Sequence, residues 1–575
     1  MRAPVTAEER DRMVLRLYEE LLEIEQRLIP TGLHVFGEAP TGRALADLLQ
    51  AVAAFDRPEL GLRSLPGLVA EGLGLPPYVT LLAPSGSGQR LAEREAVDAI
   101  VKEAIAEYLD RGREAASTLL AARAGVAPAE AQRVFDFLDG LREQLAVNRE
   151  QDALVRALRG EYIEPGPGAD LVQNPRILPT GRNTHAVNPY AVPSRAAFER
   201  AKTVVARLLE RCRAELGRYP AAIGMVLWGM DNIKTQGEGV AQALWLMGVE
   251  PVRDAMNRAT DVRVVSLEEL GRPRIDVVMT VSGIFRDLFG ATVELLEKAV
   301  LRVAGLPEPG ESNFLALHTR EQQASGSSFE EAAARIFSNA AGSYGTNVNF
   351  MVLDSQWQRP EELGELFLTR KSFAFGRGIE GRPARQLLER ALARVEVTYQ
   401  NLDNAEIGLT DVDHYFEYLG GLTRAAELRA GRRPNVYLSD ALTPAIKIRT
   451  LEETIRLETR TKILNPKWQE GMLRHGYRGV AEIENHVANT FGWSATADAV
   501  DNWVYDEIAG AYVLDSGMLA RLRSLNPHAT RSLVGRLLEA AGRGFWNTSA
   551  ATVERLRQIH GLLEDELEGV APARR

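Results

Sequence analysis

The stretch from 221 to about 310 constrains the fold more than any other part of this chain. AAIGMVLWG (221–229) is a short apolar run of the kind that forms a buried strand, and Gly229 ends it. The pattern then predicts a helix over about 237–248, strands at VRVVSL (262–267) and RIDVVMTVS (274–282), and a helix from about 286. Strands alternating with helices argue for a parallel, Rossmann-like sheet. Ligands on such sheets sit beyond the carboxyl ends of the strands, which here are residues 228–234 and 280–287.

The flanks read differently. Residues 14–29 (VLRLYEELLEIEQRLI), 92–124 and 126–157 carry apolar side chains at helical spacing among good helix formers. EYIEPGPGADLVQNPRILPTGRN, from 161, is rich in Gly and Pro without periodicity and marks a boundary. From about 320 the chain is mostly helical, with Gly- and Asn-rich loops. The expected fold class is therefore α/β, multidomain and largely helical. A helical domain covers 1–165, a Rossmann-like parallel module 166–310, a mixed α/β region 311–445 and a helical domain 446–575.

Composition removes several classes of function. With 68 basic and 78 acidic residues the formal net charge is −10, which leaves no electrostatic footprint for a nucleic-acid binder. Cys212 is the one cysteine among 575 residues, so the chain holds no internal disulfide, Cys-based zinc site or iron–sulfur cluster. The first residues lack the apolar core of a signal peptide, and no apolar run reaches the roughly 18 residues of a membrane span. A soluble cytoplasmic protein is the expectation. There is no G-x-x-x-x-G-K-[ST] phosphate loop; SGSGQR (85–90) and GRGIEG (376–381) lack its lysine and read as ordinary loops. Any ATP chemistry then falls to a partner.

Several clusters carry residues suited to chemistry, each beside a plainer reading. WGMDNIKTQGEG (228–239) gathers Asp231, Lys234 and Glu238 near a helix N-terminus, a favourable place for an anionic group, or else Asp231 or Asn232 simply caps the helix. Arg286 and Asp287 lie where a sheet-edge ligand would sit, or form a pair that staples the next helix. DVDHYFEYLGG (411–421) reads as a short helix stopped by Gly420-Gly421, placing His414 and Glu417 at i and i+3 on one face. Such a His–carboxylate pair is a competent proton-transfer unit, or an incidental surface pair. His34 and His185 lie in Gly/Pro/Asn loops, where functional residues concentrate and where local hydrogen bonding is also common. SNAAGSYGTNVN (338–349), with Tyr344 and Asn347, is able to turn backbone amides toward a ligand, or is a tight irregular connection.

Taken in order, seven stretches resemble the large subunits of magnesium-protoporphyrin chelatase and aerobic cobaltochelatase. They are EIEQRLIPTGLHVFGE (23–38), LPTGRNTHAVNPYAVPS (178–194), VLWGMDNIKTQGEGVAQALWLMGV (226–249) and LEELGRPRIDVVMTVSGIFRDLF (267–289), then RIFSNAAGSYGTNVN (335–349), LDNAEIGLTDVDHYFEYLGGL (402–422) and NPKWQEGMLRHGYRGVAEIENHVANTFGWSAT (465–496). The segments 465–480 and 491–505 and the ending 543–570 are more similar to the magnesium branch. The resemblance implies a porphyrin-binding subunit working with two smaller AAA+-type partners, one hydrolysing ATP and the other bridging. The implied reaction inserts Mg²⁺ into protoporphyrin IX, the entry to chlorophylls and bacteriochlorophylls.

On this resemblance His414, held by Glu417, takes a pyrrole proton, and Asp411 or Asp413 replaces water on the incoming ion. Arg182, Arg286 and Arg377 are candidates to hold the propionates, with His34, His185, Asp231, Lys234, Glu238, Asp287, Tyr344 and Asn347 as further substrate-binding candidates. Some relatives carry Asp at the position of Glu417, and relatives commonly have Asp at Asn188. Family members are considerably longer and carry a His-Gly…Glu…Pro-Gly-Lys motif absent here. The expectation is a carboxyl-terminal portion, with a separate chain supplying the rest if the subunit is split. The alternatives are a cobaltochelatase subunit acting on the corrin hydrogenobyrinic acid a,c-diamide, and a non-catalytic tetrapyrrole carrier or sensor.

Overall fold

The computed structural model describes residues 6–27, 32–83, 87–168, 170–183, 188–376, 381–402, 404, 406–441 and 445–570. The chain forms two compact units. The first comprises 1–186 with 404–406 and 441–446, and the second comprises 187–403, 407–440 and 447–575. No described helix is long and apolar enough to cross a membrane.

The first unit is helical. Gly42–Ala53, Leu65–Gly72, Gly88–Arg111, Arg113–Ala124 and Pro128–Ala146 each turn an apolar face inward. They meet around Leu49, Val69, Ile105, Leu120 and Phe135, all essentially inaccessible to solvent. The helical pattern over 92–124 is broken at Gly112, whose φ of +88° suits glycine. The core extends beyond residue 165: Val172 and Leu178 belong to it, and buried Arg57 donates to the carbonyls of Val172 at 2.7 Å and Gln173 at 2.9 Å.

The second unit is built on an eight-stranded sheet. In chain order the strands of the whole unit are β1 (Ala222–Leu227), β2 (Val249–Arg253), β3 (Ala259–Val264), β4 (Asp276–Val281), β5 (Ile336–Ser338), β6 (Phe373–Ala374), β7 (Arg382–Pro383), β8 (Val397–Leu402), β9 (Asn435–Asp440) and β10 (Lys447–Thr450). The sheet order is β10-β9-β8-β1-β4-β5-β6-β7. Its five central strands are parallel, and β6, β7 and β10 are antiparallel additions at the edges. Every residue of β1, β4 and β8 is buried, as expected of strands covered on both faces. This hydrogen-bonded sheet continues across residues 310 and 445, where the sequence pattern had suggested boundaries.

Two sequence expectations are corrected here. The strand expected at 262–267 is not part of this sheet: β3 pairs only with β2, in a separate antiparallel ribbon. Val262 alone among its residues is buried, and Arg263 is turned outward onto Glu250 at 2.6 Å, which suits a one-sided ribbon rather than a central strand. Likewise Gly420-Gly421 does not stop a helix. The helix begun at Asp413–Tyr415 passes through a π-helical turn, Phe416–Gly420, and continues as Gly421–Ala430. The two glycines serve close packing instead: a Cβ at Gly420 would lie 2.2 Å from Thr496 Oγ1, and one at Gly421 would lie 2.7 Å from the Phe367 ring.

Candidate functional site

The parallel strands aim their carboxyl ends at one edge, and the order in which they are connected switches sides between β1 and β8. From β1 the order runs through β4 to β5, then returns to β8 and β9 on the other side. Such a switch point leaves a crevice beyond the strand ends. Trp228, just past β1, spans it by donating from Nε1 to Gln400 Oε1 of β8 at 3.1 Å. The Tyr418 ring lies 4.4 Å from the Trp228 ring and Tyr415 5.9 Å away, which anchors the segment carrying His414 to this edge.

The π-helical turn begins two residues after His414; such turns recur at functional sites. His414 Nδ1 lies 2.9 Å from Glu417 Oε2. The imidazole is exposed, with 63% of its side-chain surface accessible, while the Glu417 side chain is 1% accessible. A carboxylate so buried is stable only when its lone pairs are met by donors. Glu417 Oε1 accepts the backbone N–H of Asn347 at 2.8 Å, the Thr346 hydroxyl at 3.1 Å and the Thr346 N–H. Burial is the largest influence on Glu417 and acts upward, but His414 and these amides outweigh it and hold the carboxyl below its usual range. Glu417 in turn raises the His414 pKa, its hydrogen bond outweighing partial burial.

The loop of residues 339–347 is therefore the structural partner of the pair. Its amides turn toward an anion, as the sequence suggested, but the anion is the Glu417 carboxylate. Asn347 adopts φ +63° and Gly345 φ +69°, which swings successive N–H groups to one side. Arg286 fixes the loop from below, donating from Nη1 to the carbonyls of Asn339, Ala340 and Ser343 at 3.1, 2.8 and 3.1 Å. Its Nε and Nη2 are engaged by Asp287 at 2.7 and 3.1 Å. Arg286 holds the Asp287 carboxyl below its usual range, and Asp287 also accepts the hydroxyl of exposed Tyr344. The Tyr344 ring covers Gly283, where a Cβ would come within 2.3 Å of it.

The remaining candidates distribute around this centre. Asp411 accepts the Gly408 N–H at 2.7 Å and pairs with buried Lys462. Asp413 Oδ2 accepts from Asn349 at 2.5 Å. The two carboxylates are thus held by different neighbours, and among the described residues no three His, Cys, Asp or Glu side chains gather to hold a metal ion. Asp231 and Glu238 are buried in the sheet-facing interior: Asn401 Nδ2 donates to Asp231 at 3.3 Å, and Glu238 meets Arg200 at 3.2 Å and Gln242 at 3.2 Å. Burial raises the Glu238 pKa against the pull of Arg200. Lys234 is half-buried at the end of the helix Gly229–Lys234.

His34 and Arg182 belong to the first unit. His34 Nε2 lies 3.2 Å from Glu150, which also accepts the Gly37 N–H at 2.7 Å. Arg182 is half-buried against Gly166. His185 and Arg377 lie outside the described residues.

Sequence reasoning missed two groups beside the pair. Lys371 is fully buried, donates to the Val281 carbonyl at 2.8 Å and sits 4.0 Å from the Tyr418 ring centroid; burial pushes its pKa well below the ordinary lysine value. Glu458 clamps the approach to the Asp413–Tyr415 helix, accepting the N–H groups of Leu409 at 2.7 Å and Thr410 at 2.9 Å. A charged residue ending an amphipathic helix carries no signal that its side chain turns inward, which is why neither stood out.

The chain is similar to known proteins over nearly its whole length. The CobN/Magnesium Chelatase family matches residues 2–553. The magnesium-chelatase protein ChlH of Oryza sativa subsp. indica is 43% identical over 98% of this chain and 43% of its own length. The corresponding magnesium-chelatase protein of Chlorobaculum parvum is 38% identical over 97% of this chain and 45% of its own. The solved catalytic subunit of cobaltochelatase from Mycobacterium tuberculosis superposes with a TM-score of 0.90 at 34% identity, covering 98% of this chain and 47% of that one. The chain thus spans less than half the length of these relatives. With its family matched over nearly all its residues and its fold shared with a solved member, this chain belongs to the CobN/magnesium chelatase family.

Proposed function

We propose that this chain is the part of a magnesium chelatase large subunit that presents a proton acceptor to protoporphyrin IX while Mg²⁺ enters the ring. The observation that carries the reading is the exposed His414 imidazole backed by the buried, donor-saturated Glu417 at the switch point of the sheet. Identity to the relatives named for magnesium, 43% and 38%, exceeds the 34% to the cobaltochelatase structure and favours the magnesium branch.

Metal insertion releases two pyrrole protons, and Mg²⁺ gives up its water shell reluctantly. With Nδ1–H donating to Glu417, the Nε2 of His414 is left as the unprotonated, solvent-facing acceptor. Glu417 fixes this tautomer and stabilises the imidazolium formed when Nε2 takes a pyrrole proton. Energy comes from ATP hydrolysed on an AAA+ partner, with a second AAA+-type subunit as the bridge. This division of labour agrees with the lack of a phosphate-loop motif in the sequence.

His414→Ala in the full-length protein, reconstituted with its partners, is the test. Porphyrin binding is expected to persist while the insertion rate falls about 10²- to 10⁴-fold, the range for loss of a general base. Unchanged turnover sinks the assignment of His414, and preference for a corrin over protoporphyrin moves the chain to the cobalt branch.

A further inference from the structure

We infer that Arg370 is the receptor for a carboxylate on the rim of the macrocycle, a specificity-determining contact that rests on the porphyrin reading above. Arg370 lies in the last turn of the helix Pro360–Lys371 and is half-buried. From Nη2 it reaches Ser343 Oγ at 3.0 Å and the Tyr344 carbonyl at 3.4 Å, and these are its only hydrogen bonds among the described residues. Its Nε is buried and meets no acceptor. A guanidinium carries five donors, and with both bonds made from Nη2 the Nη1 end, which is not buried, has no acceptor among the described residues.

The neighbouring arginines all have acid partners. Arg286 has Asp287, and Glu365 of the same helix as Arg370 is taken by Arg385 and Arg429. Arg370 alone of this group has no acid partner. Its position is also informative. Ser343 and Tyr344, which it touches, lead directly into Thr346 and Asn347, which hold Glu417 and through it His414. One loop therefore meets the Arg370 guanidinium at Ser343 and Tyr344 and supports the proton acceptor at Thr346 and Asn347, with the exposed Tyr344 ring between. A flat apolar ring bearing carboxylates at its edge has the matching chemistry: a bidentate Arg–carboxylate contact outside, a ring face for Tyr344, and pyrrole N–H groups for His414.

The test uses the full-length protein with two probes, deuteroporphyrin IX and its dimethyl ester, and reads binding by quenching of tryptophan fluorescence. Arg370→Ala is expected to weaken the diacid about 10-fold while shifting the ester less than about 2-fold, because only the diacid offers a charge to pair. Arg370→Lys should recover part of the loss, since it restores charge but not the bidentate fork. Retained ester binding also reports that the variant is folded. Equal losses for both probes, or none for either, overturn the inference and leave Arg370 a clamp on the loop. If the wild type binds neither probe, the porphyrin reading falls with it.

Discussion

The buried carboxylate of Glu417 takes the backbone N–H of Asn347 at 2.8 Å, and it does so because Asn347 holds the left-handed conformation, φ +63°. Asparagine tolerates that region and glycine prefers it, whereas a β-branched residue there costs about 1–2 kcal/mol. Asn347→Gly is therefore expected to keep both stability and metal insertion. Asn347→Val should lose about that much stability and slow insertion by withdrawing a donor from Glu417. Urea denaturation and turnover of the reconstituted complex check both, and a fully active Val variant would break the link.

The same pair sets a pH dependence. Glu417 raises the His414 pKa above the ordinary value near ~6.5, so on the proposed role the free base is expected to accumulate, and insertion to accelerate, only as pH climbs past that point. Glu417→Gln removes the charge that supports the imidazolium and should move the rate profile to lower pH. It should also depress the plateau, because the amide NH₂ can face Nδ1 and drive the proton onto Nε2. Initial rates from pH 6 to 9 decide the point: an unshifted midpoint means the titrating group is not His414.

The legibility of this site in the sequence was uneven for physical reasons. The His414–Glu417 spacing, the loop with its Gly and Asn, and the strands β1 and β4 were readable because each depends on local periodicity or on backbone conformations that few residues accept. The direction of the helix past Gly420 was not, because glycine signals a stop and a close contact equally well, and only the long-range neighbours Thr496 and Phe367 decide between them. The six-residue strands β8 and β9 were missed inside a region that reads as mostly helical, and β5, β6, β7 and β10 were missed because two- to four-residue strands carry too little pattern. The inward turn of Lys371 and the free donors of Arg370 depend wholly on partners far along the chain.

Asp276, which opens β4, offers a stability test remote from the site. Its carboxylate is 1% exposed and is held by Arg335 at 2.7 and 3.1 Å and by His318 Nδ1 at 2.7 Å. Burial is the largest influence and acts upward, yet Arg335 and His318 outweigh it and bring the pKa down to about 2. The folded-state value lies below the unfolded one, near ~3.9, so this stabilisation is complete above that pH and drains away as pH falls toward about 2. Asp276→Asn leaves Arg335 without its counter-charge and is expected to cost about 3–5 kcal/mol at neutral pH. Urea midpoints measured between pH 6 and 3 should fall more steeply for the wild type than for the variant; parallel slopes would exclude Asp276 as a source of the acid sensitivity.

Two glycines of the second unit separate close packing from helix propensity. At Gly420 a Cβ would lie 2.2 Å from Thr496 Oγ1 and 2.7 Å from its Cβ, and Thr496 is itself fixed by its hydroxyl bond to the Gly492 carbonyl at 2.8 Å. Gly561, inside the helix Ala550–Leu567, has nothing within 4 Å of the same position. Gly420→Ala should therefore destabilise by about 1–3 kcal/mol, the usual cost of overpacking. Gly561→Ala should instead gain up to about 1 kcal/mol, because alanine loses less backbone entropy in a helix. Because Gly420 ends the π-helical turn that follows His414, its variant should also slow insertion, whereas the Gly561 variant should not. Chemical denaturation and turnover of both proteins give the answer, and a Gly420 variant that is stable and fully active would mean that the contact with Thr496 does not position the pair.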